Sequence, residues 1–302
     1  MTSRHPKIAV LGTGRMGAPI AHNLLAAGFA VAVWNRTPGR ARELADAGAR
    51  LAASPADAAG SADVVLTMLA DGDAVCHAMT GPKGAVPALR PGSVWIQMAT
   101  VGVDWTARFS VVAHDHGLEF VDAPVSGSDG PARDAQLVVL ASGTEAVHPL
   151  VEPLFDAIGR RTLWLGPAGN GTRLKLVLNT WLASLAEAMA ETLALTDALG
   201  LEQELFLEAI AGGPLEAPWA TGKGRAMLAR EFTPGFALRL ALKDAHLALD
   251  AGREHGLELP LTDALAQRWE LAMTAHADDD IAAVIDAATA PEPAGRHDGG
   301  RR

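Results

Sequence analysis

The sequence predicts an α/β fold in which a Rossmann-type N-terminal domain is followed by an all-α C-terminal domain, and a long helix joins the two. Three observations predict it. Short β-rich runs alternate with Ala-rich helical runs over the first half of the chain, which is typical of a parallel sheet covered by helices. The first of these runs leads directly into a glycine-rich turn and a helix. Beyond residue 166 helical patterns follow one another, and no convincing strand remains.

The elements follow from apolar runs punctuated by glycine and proline. Strands are predicted at 7–11, 31–35, 63–69, 93–98, 118–125, 136–141 and 162–165, with helices between them at 16–27, 38–47 and 104–116. Later helices are predicted at 172–199, 202–211, 219–229, 238–254, 260–275 and 281–288. We therefore expect a dinucleotide-binding domain at 1–166, a helical substrate and dimerisation domain at 167–289, and a disordered tail at 290–302.

The composition excludes several classes of function. A single cysteine, Cys76, excludes an intrachain disulfide and a Cys-rich metal site, so no metal is expected and a reducing cytoplasm is favoured. The net charge of −10 argues against a nucleic-acid partner. No uncharged apolar stretch reaches the ~20 residues of a membrane span, and no secretory signal is expected. The chain has no tyrosine, which excludes a tyrosine proton donor such as that of short-chain dehydrogenases.

The glycine-rich turn predicts a dinucleotide site. Gly12 permits a tight turn, Gly14 lets backbone amides approach a pyrophosphate, and Gly17 lets the helix pack closely on the strand. The predicted cofactor-binding residues of this turn are Gly12, Thr13, Gly14, Arg15, Met16 and Gly17. A purely structural glycine turn is the alternative interpretation.

The end of the second predicted strand favours NADP(H) over NAD(H). An NAD site usually has an acidic residue there, which binds the ribose 2′-hydroxyl. This chain has the neutral Asn35, followed by Arg36 and Thr37, which suit a 2′-phosphate. The alternative is that Arg36 and the nearby Arg40 are solvated charges of a turn.

Two further segments carry candidate functional groups. Lys175 and Asn179 lie one turn apart on a predicted helix that is apolar nearly all round and therefore expected to be buried. Burial lowers the pKa of a lysine and suits it to proton exchange near neutral pH; alternatively, Lys175 reaches solvent from the first turn. The Ser/Gly-rich segment 126–128 follows a strand, where a carboxylate can bind, although an ordinary turn has the same composition.

Together these motifs resemble the β-hydroxyacid dehydrogenase family over residues 6–288, and most of all its glyoxylate/succinic semialdehyde reductase branch. The resemblance rests on the cofactor turn at 12–17, the substrate-binding segment at 122–127, the catalytic segment at 169–179 and the Lys243-Asp244 pair. It implies an NADPH-dependent oxidoreductase that interconverts a small aldehyde carboxylic acid and its hydroxy acid, with no nucleic-acid or membrane partner. A homodimer or homotetramer is expected.

The resemblance also implies roles for single residues. Lys175 is the expected general acid/base. The expected substrate-binding residues are Ser126, Gly127, Ser128 and Asn179, and the further expected cofactor contacts are Leu69, Ala70, Thr100 and Lys243.

The chain also departs from the family's pattern. Gln97 stands where the family often has Asp, and Val103 where Pro is common, so a polar anchor of the Thr100 loop is expected to be lost. Two alternative functions remain. One is an imine reductase. The other is a non-catalytic NADPH-binding scaffold, like the family's nucleosome-associated member, in which the catalytic lysine is replaced.

Overall fold

The structure is a computed structural model that describes residues 5–289; the tail predicted at 290–302 lies outside the described residues. The described chain forms two compact units. The first comprises residues 5–180 and 246–258, and the second comprises 181–245 and 259–289. The domain boundary at 166/167 stays a prediction.

The first unit contains a single sheet. Its strands within the described residues are β1 (Lys7–Leu11), β2 (Ala30–Trp34), β3 (Arg50–Leu51), β4 (Val64–Thr67), β5 (Val94–Gln97), β6 (Glu119–Asp122), β7 (Val125–Ser126), β8 (Leu137–Gly143) and β9 (Gly159–Trp164). The order is β3-β2-β1-β4-β5-β6-β8-β7, with β9 beside β8. This is the parallel-sheet Rossmann-like arrangement that the sequence predicts.

One part of the sheet differs from the prediction of parallel strands throughout. β1 to β6 pair in parallel, but β8 runs antiparallel to both β6 and β7. The predicted strand 118–125 is interrupted at Ala123 and Pro124, and the short segment 127–136 then leads back into β8. Because this segment contains only a one-turn helix, the chain reverses instead of crossing over the sheet.

Helices cover the sheet of the first unit and build the second unit. They are α1 (Gly17–Ala26), α2 (Arg42–Asp46), α3 (Pro55–Ala59), α4 (Gly72–Thr80), α5 (Val103–Asp115), α6 (Asp129–Arg133), α7 (His148–Ile158), α8 (Asn170–Ala198), α9 (Glu204–Ile210), α10 (Pro218–Ala229), α11 (Leu238–Glu254), α12 (Pro260–His276) and α13 (Ile285–Thr289). Short 3₁₀ helices lie at Pro38–Ala41, Val86–Ala88, Glu145–Val147 and Ile281–Val284. The long helix α8 passes from the first unit into the second.

The core of the first unit has two layers, one on each face of the sheet. In β1, Ile8 and Val10 belong to the layer that contains Leu24 of α1, whereas Ala9 and Leu11 belong to the layer that contains Phe109 of α5. Alternate side chains of a strand point to opposite faces, and a strand covered on both sides therefore reads as a continuous apolar run. This burial explains why the central strands could be predicted so closely.

The second unit is helical. The β contact in its described part is an isolated bridge between Ala237 and Asp280. Its core contains polar pairs: the Trp269 indole donates to Glu187 at 2.7 Å, and the Lys223 ammonium contacts Asp280 at 2.6 Å. None of the helices between residues 5 and 289 combines the length and the apolar character needed to cross a lipid bilayer.

Candidate functional site

The predicted cofactor residues other than Lys243 follow strands whose carboxyl ends share one edge of the sheet. β1, β2, β4 and β5 are parallel neighbours, so the loops that begin after Leu11, Trp34, Thr67 and Gln97 share that edge. The chain order of the strands reverses between β1 and β4. In open α/β sheets ligands bind at the carboxyl ends of the strands beside such a reversal.

The three glycines of the turn differ in how closely other atoms surround them. Gly12 has a φ of +103°, and a Cβ there would lie 2.2 Å from the Met68 carbonyl oxygen. A Cβ on Gly17 would lie 1.9 Å from the Gly12 carbonyl oxygen. A Cβ on Gly14, by contrast, would meet no atom within 4 Å. Gly12 and Gly17 are therefore needed for packing, whereas Gly14 borders open space.

The surroundings of Thr13 fit a bound phosphate. Its amide donates to the Asn35 side-chain oxygen at 3.1 Å. Its hydroxyl is buried and has no hydrogen-bond partner within the described residues. An unpartnered buried hydroxyl costs about 1–3 kcal/mol, which a phosphate oxygen as acceptor would recover. No acidic residue occupies the first turn of α1, so the positive end of its dipole is not neutralised there.

Asn35 connects the two loops on which cofactor choice depends. Its side-chain oxygen accepts from Thr13, and its side-chain nitrogen donates to the Thr37 carbonyl at 3.0 Å. The side chains of Arg36 and Thr37 are exposed. The position that is acidic in NAD sites is thus a neutral structural link, and a cation follows it. After β4, Leu69 is half-buried and Ala70 is exposed.

The start of α8 is anchored to the sheet by Asp122 at the end of β6. The buried carboxyl group contacts the Thr172 amide and the Thr172 hydroxyl, each at 2.7 Å. Ser142 of β8 hydrogen-bonds to Asp122 and accepts from the Gly171 amide at 3.0 Å. A Cβ on Gly171 would lie 2.2 Å from the Leu140 carbonyl oxygen, so only glycine allows this close approach.

Sequence reasoning included Asp122 in the substrate-binding segment 122–127 but gave it no role of its own. The signal was present, since an acidic residue at the end of a strand opened the segment that leads to Ser126. Burial raises the pKa of Asp122, and the hydrogen bonds from Thr172 and Ser142 oppose part of that rise. Through its contacts with Thr172, Asp122 fixes the start of α8, the helix that carries Lys175.

Lys175 and Asn179 lie one turn apart on α8, in the first unit. Lys175 is half-buried and Asn179 is buried. Within a single chain the helix is not buried nearly all round, because Val177 and Trp181 are 64% and 63% exposed. The helix buries the face that carries Asn179 and leaves the opposite apolar residues uncovered.

The segment after β7 is a tight turn. Ser126 ends the strand and pairs with Val138 of β8, and Ser128 precedes α6. Gly127 has a φ of +128°, and a Cβ there would lie 2.9 Å from the Leu137 side chain. The turn requires glycine at this position for its own packing. Substrate binding by Ser126, Gly127 and Ser128 stays a prediction.

The loop after β5 corrects one expectation. Gln97 does not remove the polar anchor of this loop, because its buried amide holds both main-chain polar groups of Ala99. Thr100, the predicted cofactor contact, follows directly and is half-buried. Lys243 lies in the second unit, where its ammonium contacts the neighbouring Asp244 at 2.6 Å.

Comparisons with known proteins identify two family models in the chain. Residues 7–166 match the NAD binding domain of 6-phosphogluconate dehydrogenase, and residues 169–288 match the NAD-binding domain of NADP-dependent 3-hydroxyisobutyrate dehydrogenase. Glyoxylate/succinic semialdehyde reductase 1 of Arabidopsis thaliana is 34% identical over 93% of this chain and 98% of its own length.

Two other similar proteins represent different functions. Cytokine-like nuclear factor N-PAC of Homo sapiens is 31% identical over 95% of this chain, which spans 52% of that relative. The solved structure of Mycobacterium tuberculosis 3-hydroxyisobutyrate dehydrogenase with L-serine has a TM-score of 0.84 and 31% identity, and the match covers 95% of this chain and all of that one.

Proposed function

The chain belongs to the β-hydroxyacid dehydrogenase family, and from that premise we propose that it is an NADPH-dependent reductase of small aldehyde carboxylic acids. The proposed substrates are of the glyoxylate, succinic semialdehyde or tartronate semialdehyde type, and the products are the corresponding hydroxy acids. The observation that carries the proposal is Lys175, a half-buried amine on a helix whose start is fixed to the sheet by Asp122.

NADP(H) is the cofactor that these residues suit. The loop from Gly12 to Gly17, together with the unpartnered Thr13 hydroxyl, would hold the pyrophosphate. Arg36 and Thr37 would hold the 2′-phosphate, which the neutral Asn35 does not repel. Leu69, Ala70, Thr100 and Lys243 are the other proposed contacts. When bound, NADPH supplies the hydride that reduces the aldehyde carbon.

The chain's own residues bind the substrate and move the proton. Ser126, Gly127, Ser128 and Asn179 are proposed to hold the substrate carboxylate. Lys175 donates a hydrogen bond to the aldehyde oxygen and transfers a proton to it as negative charge develops. In the reverse direction Lys175 accepts the proton of the alcohol. No tyrosine competes for this role, because the sequence contains none.

Replacement of Lys175 by alanine tests the assignment. We expect kcat to fall at least ~10²-fold, the contribution typical of a general acid or base, while NADPH affinity is retained. A matched control is Arg173→Ala, which removes an exposed cation two residues earlier on the same helix. The assay is NADPH oxidation with glyoxylate and the semialdehydes. Near-normal turnover of Lys175→Ala would refute the proton-transfer role.

The same assay separates the alternative functions. Faster reduction of cyclic imines than of the aldehyde acids would favour an imine reductase. Tight NADPH binding with no turnover of any compound would favour a non-catalytic scaffold role.

The uncovered face of α8 supports a homodimer or homotetramer. Val177 and Trp181 are one turn apart and largely exposed, and apolar side chains at this spacing form a continuous stripe. Sedimentation of the intact protein tests the assembly, and a monomer at micromolar concentration would contradict it.

A further inference from the structure

We propose that Gln97 is a positioning residue for the loop that carries Thr100, and that it must be a neutral amide to fill this role. The inference rests on the proposed function, in which Thr100 contacts the cofactor. Gln97 ends β5 and is completely buried.

Both polar atoms of the Gln97 amide make hydrogen bonds. Its oxygen accepts from the Ala99 amide at 3.1 Å and from the Thr67 hydroxyl at 2.9 Å. Its nitrogen donates to the Ala99 carbonyl at 2.6 Å. One side chain thus determines where both main-chain polar groups of the residue before Thr100 lie.

The neighbours require a group that both donates and accepts. The Trp95 indole donates to the Thr67 oxygen at 3.0 Å. The single hydroxyl hydrogen of Thr67 has the Gln97 oxygen at 2.9 Å as its nearer acceptor and the Ile96 carbonyl at 3.4 Å as its farther one. The Ala99 carbonyl needs a donor at the other atom. A carboxylate has no hydrogen to give and would place negative charge against that carbonyl. The contacting groups of Thr67, Trp95 and Ala99 do not ionise, so they cannot compensate.

The far end of the loop is also fixed. Gly102 has a φ of +88°, and a Cβ there would lie 2.7 Å from the Leu247 side chain. The Gly102 carbonyl accepts from the Thr106 hydroxyl at 2.9 Å. Because Gly102 is held, a displacement of Ala99 cannot be passed along the loop and has to be absorbed at Thr100 and Val101.

The isosteric substitution Gln97→Glu tests the requirement for an amide. Burial raises the pKa of a carboxyl group, so at about pH 6 the glutamic acid is protonated and can still donate to the Ala99 carbonyl. As the pH rises towards about 9 it ionises and loses that contact. We expect kcat/KM for NADPH to stay near the wild-type value at the low pH and to fall at least ~10-fold below it at the high pH.

Two controls distinguish positioning from a general structural effect. Gln203 also donates to a main-chain carbonyl, that of Leu193 at 2.9 Å, and Gln203→Glu is expected to leave the pH profile of activity unchanged. Gln97→Met removes all three contacts and is expected to lower activity equally at every pH. Thermal unfolding in the same buffers restricts the comparison to folded protein. If Gln97→Glu does not fold, the inference is tested with Gln97→Met and Thr67→Val, which are expected to raise the KM for NADPH.

NADPH affinity, measured without substrate by quenching of tryptophan fluorescence, separates this inference from the proposed function. If the wild type reduces no aldehyde acid but the affinity of Gln97→Glu falls with pH, the function is wrong and the positioning role stands. A Gln97→Glu profile that matches the wild type in both activity and affinity would overturn the inference, and so would a Gln97→Met variant with wild-type KM.

Discussion

Asp122→Asn is expected to preserve the anchor of α8, although the substitution removes a buried carboxyl group that contacts the helix start. The hydrogen bonds around this group give the reason. The Thr172 hydroxyl donates to the Asp122 carboxyl at 2.7 Å, and the Thr106 hydroxyl donates to the Gly102 carbonyl at 2.9 Å. The two hydroxyls lie 3.0 Å apart, and either can donate to the other. An asparagine at position 122 can therefore donate to the Thr172 hydroxyl, which then turns its own hydrogen towards Thr106.

The expected change in the free energy of unfolding depends on how many hydrogen bonds of Asp122 each variant keeps. In Asp122→Asn the side-chain nitrogen donates to the Thr172 hydroxyl where the carboxyl oxygen accepts from it, and the side-chain oxygen still accepts from the Thr172 amide. We expect a loss within about 1 kcal/mol in the free energy of unfolding. Asp122→Ala leaves Thr172 and Ser142 without their acceptor, and at about 1 kcal/mol for each lost hydrogen bond should cost about 2–3 kcal/mol.

The pH dependence gives a second measurement. Burial raises the pKa of Asp122 in the folded state, so its contribution to stability is complete below the unfolded value and is lost as the pH rises through the folded value. The groups that hydrogen-bond to the carboxyl, from Thr172, Ser142 and the Gly169 backbone, do not ionise. Denaturant unfolding at several pH values should therefore show wild type losing stability relative to Asp122→Asn as the pH rises. An advantage of wild type that grows with pH would refute the reasoning.

Two further predictions concern the cofactor loops. Arg36→Ala should weaken NADPH binding about tenfold, which corresponds to the ~1.5 kcal/mol or more of a hydrogen bond to a charged group, and leave NADH binding unchanged; equal kcat/KM of the wild type for the two cofactors would contradict the proposed preference. Gly14→Ala should keep the melting temperature and lose NADPH affinity, because its Cβ meets no protein atom, whereas Gly12→Ala should lower the melting temperature, because its Cβ would lie 2.2 Å from a main-chain oxygen. Equal effects of the two substitutions in both measurements would show that Gly14 does not border the cofactor.

The elements that could be predicted are those whose burial leaves a pattern in the sequence. β1 occurs at the predicted residues, Lys7–Leu11, because a central parallel strand is apolar on both faces. β3 was missed because both of its residues are exposed and show no apolar pattern. α7 is not among the helices named from the sequence. Pro149 lies in its first turn, where a proline loses no hydrogen bond, but Pro153 lies inside the helix, where a proline does not favour one.

The spacing of the glycines predicted the cofactor turn, but nothing in the sequence predicted the hydrogen bonds of Asp122 and Gln97. Thr172 and Ser142, which hydrogen-bond to Asp122, lie fifty and twenty residues after it in the sequence, and Thr67 lies thirty residues before Gln97. No local periodicity records such contacts. The resemblance to a family even suggested a lost anchor at Gln97, since it compared residue types and not the hydrogen bonds that they make.

The same requirement for matched hydrogen bonds applies to Asp122 and to Gln97, and substitutions at the two positions test it together. At each position a buried group must supply as many hydrogens as its fixed neighbours lack. The Thr172 hydroxyl can donate to an acceptor at position 122 or accept from a donor there and donate to Thr106 instead, so both a carboxyl and an amide are satisfied. The Ala99 carbonyl can only accept, and it needs a hydrogen that an amide supplies and a carboxylate does not. Changing carboxyl to amide at 122 should therefore be tolerated, while changing amide to carboxyl at 97 should fail above the pKa of the new group. If both changes are tolerated at high pH, or both fail, charge and volume rather than hydrogen count govern this part of the site.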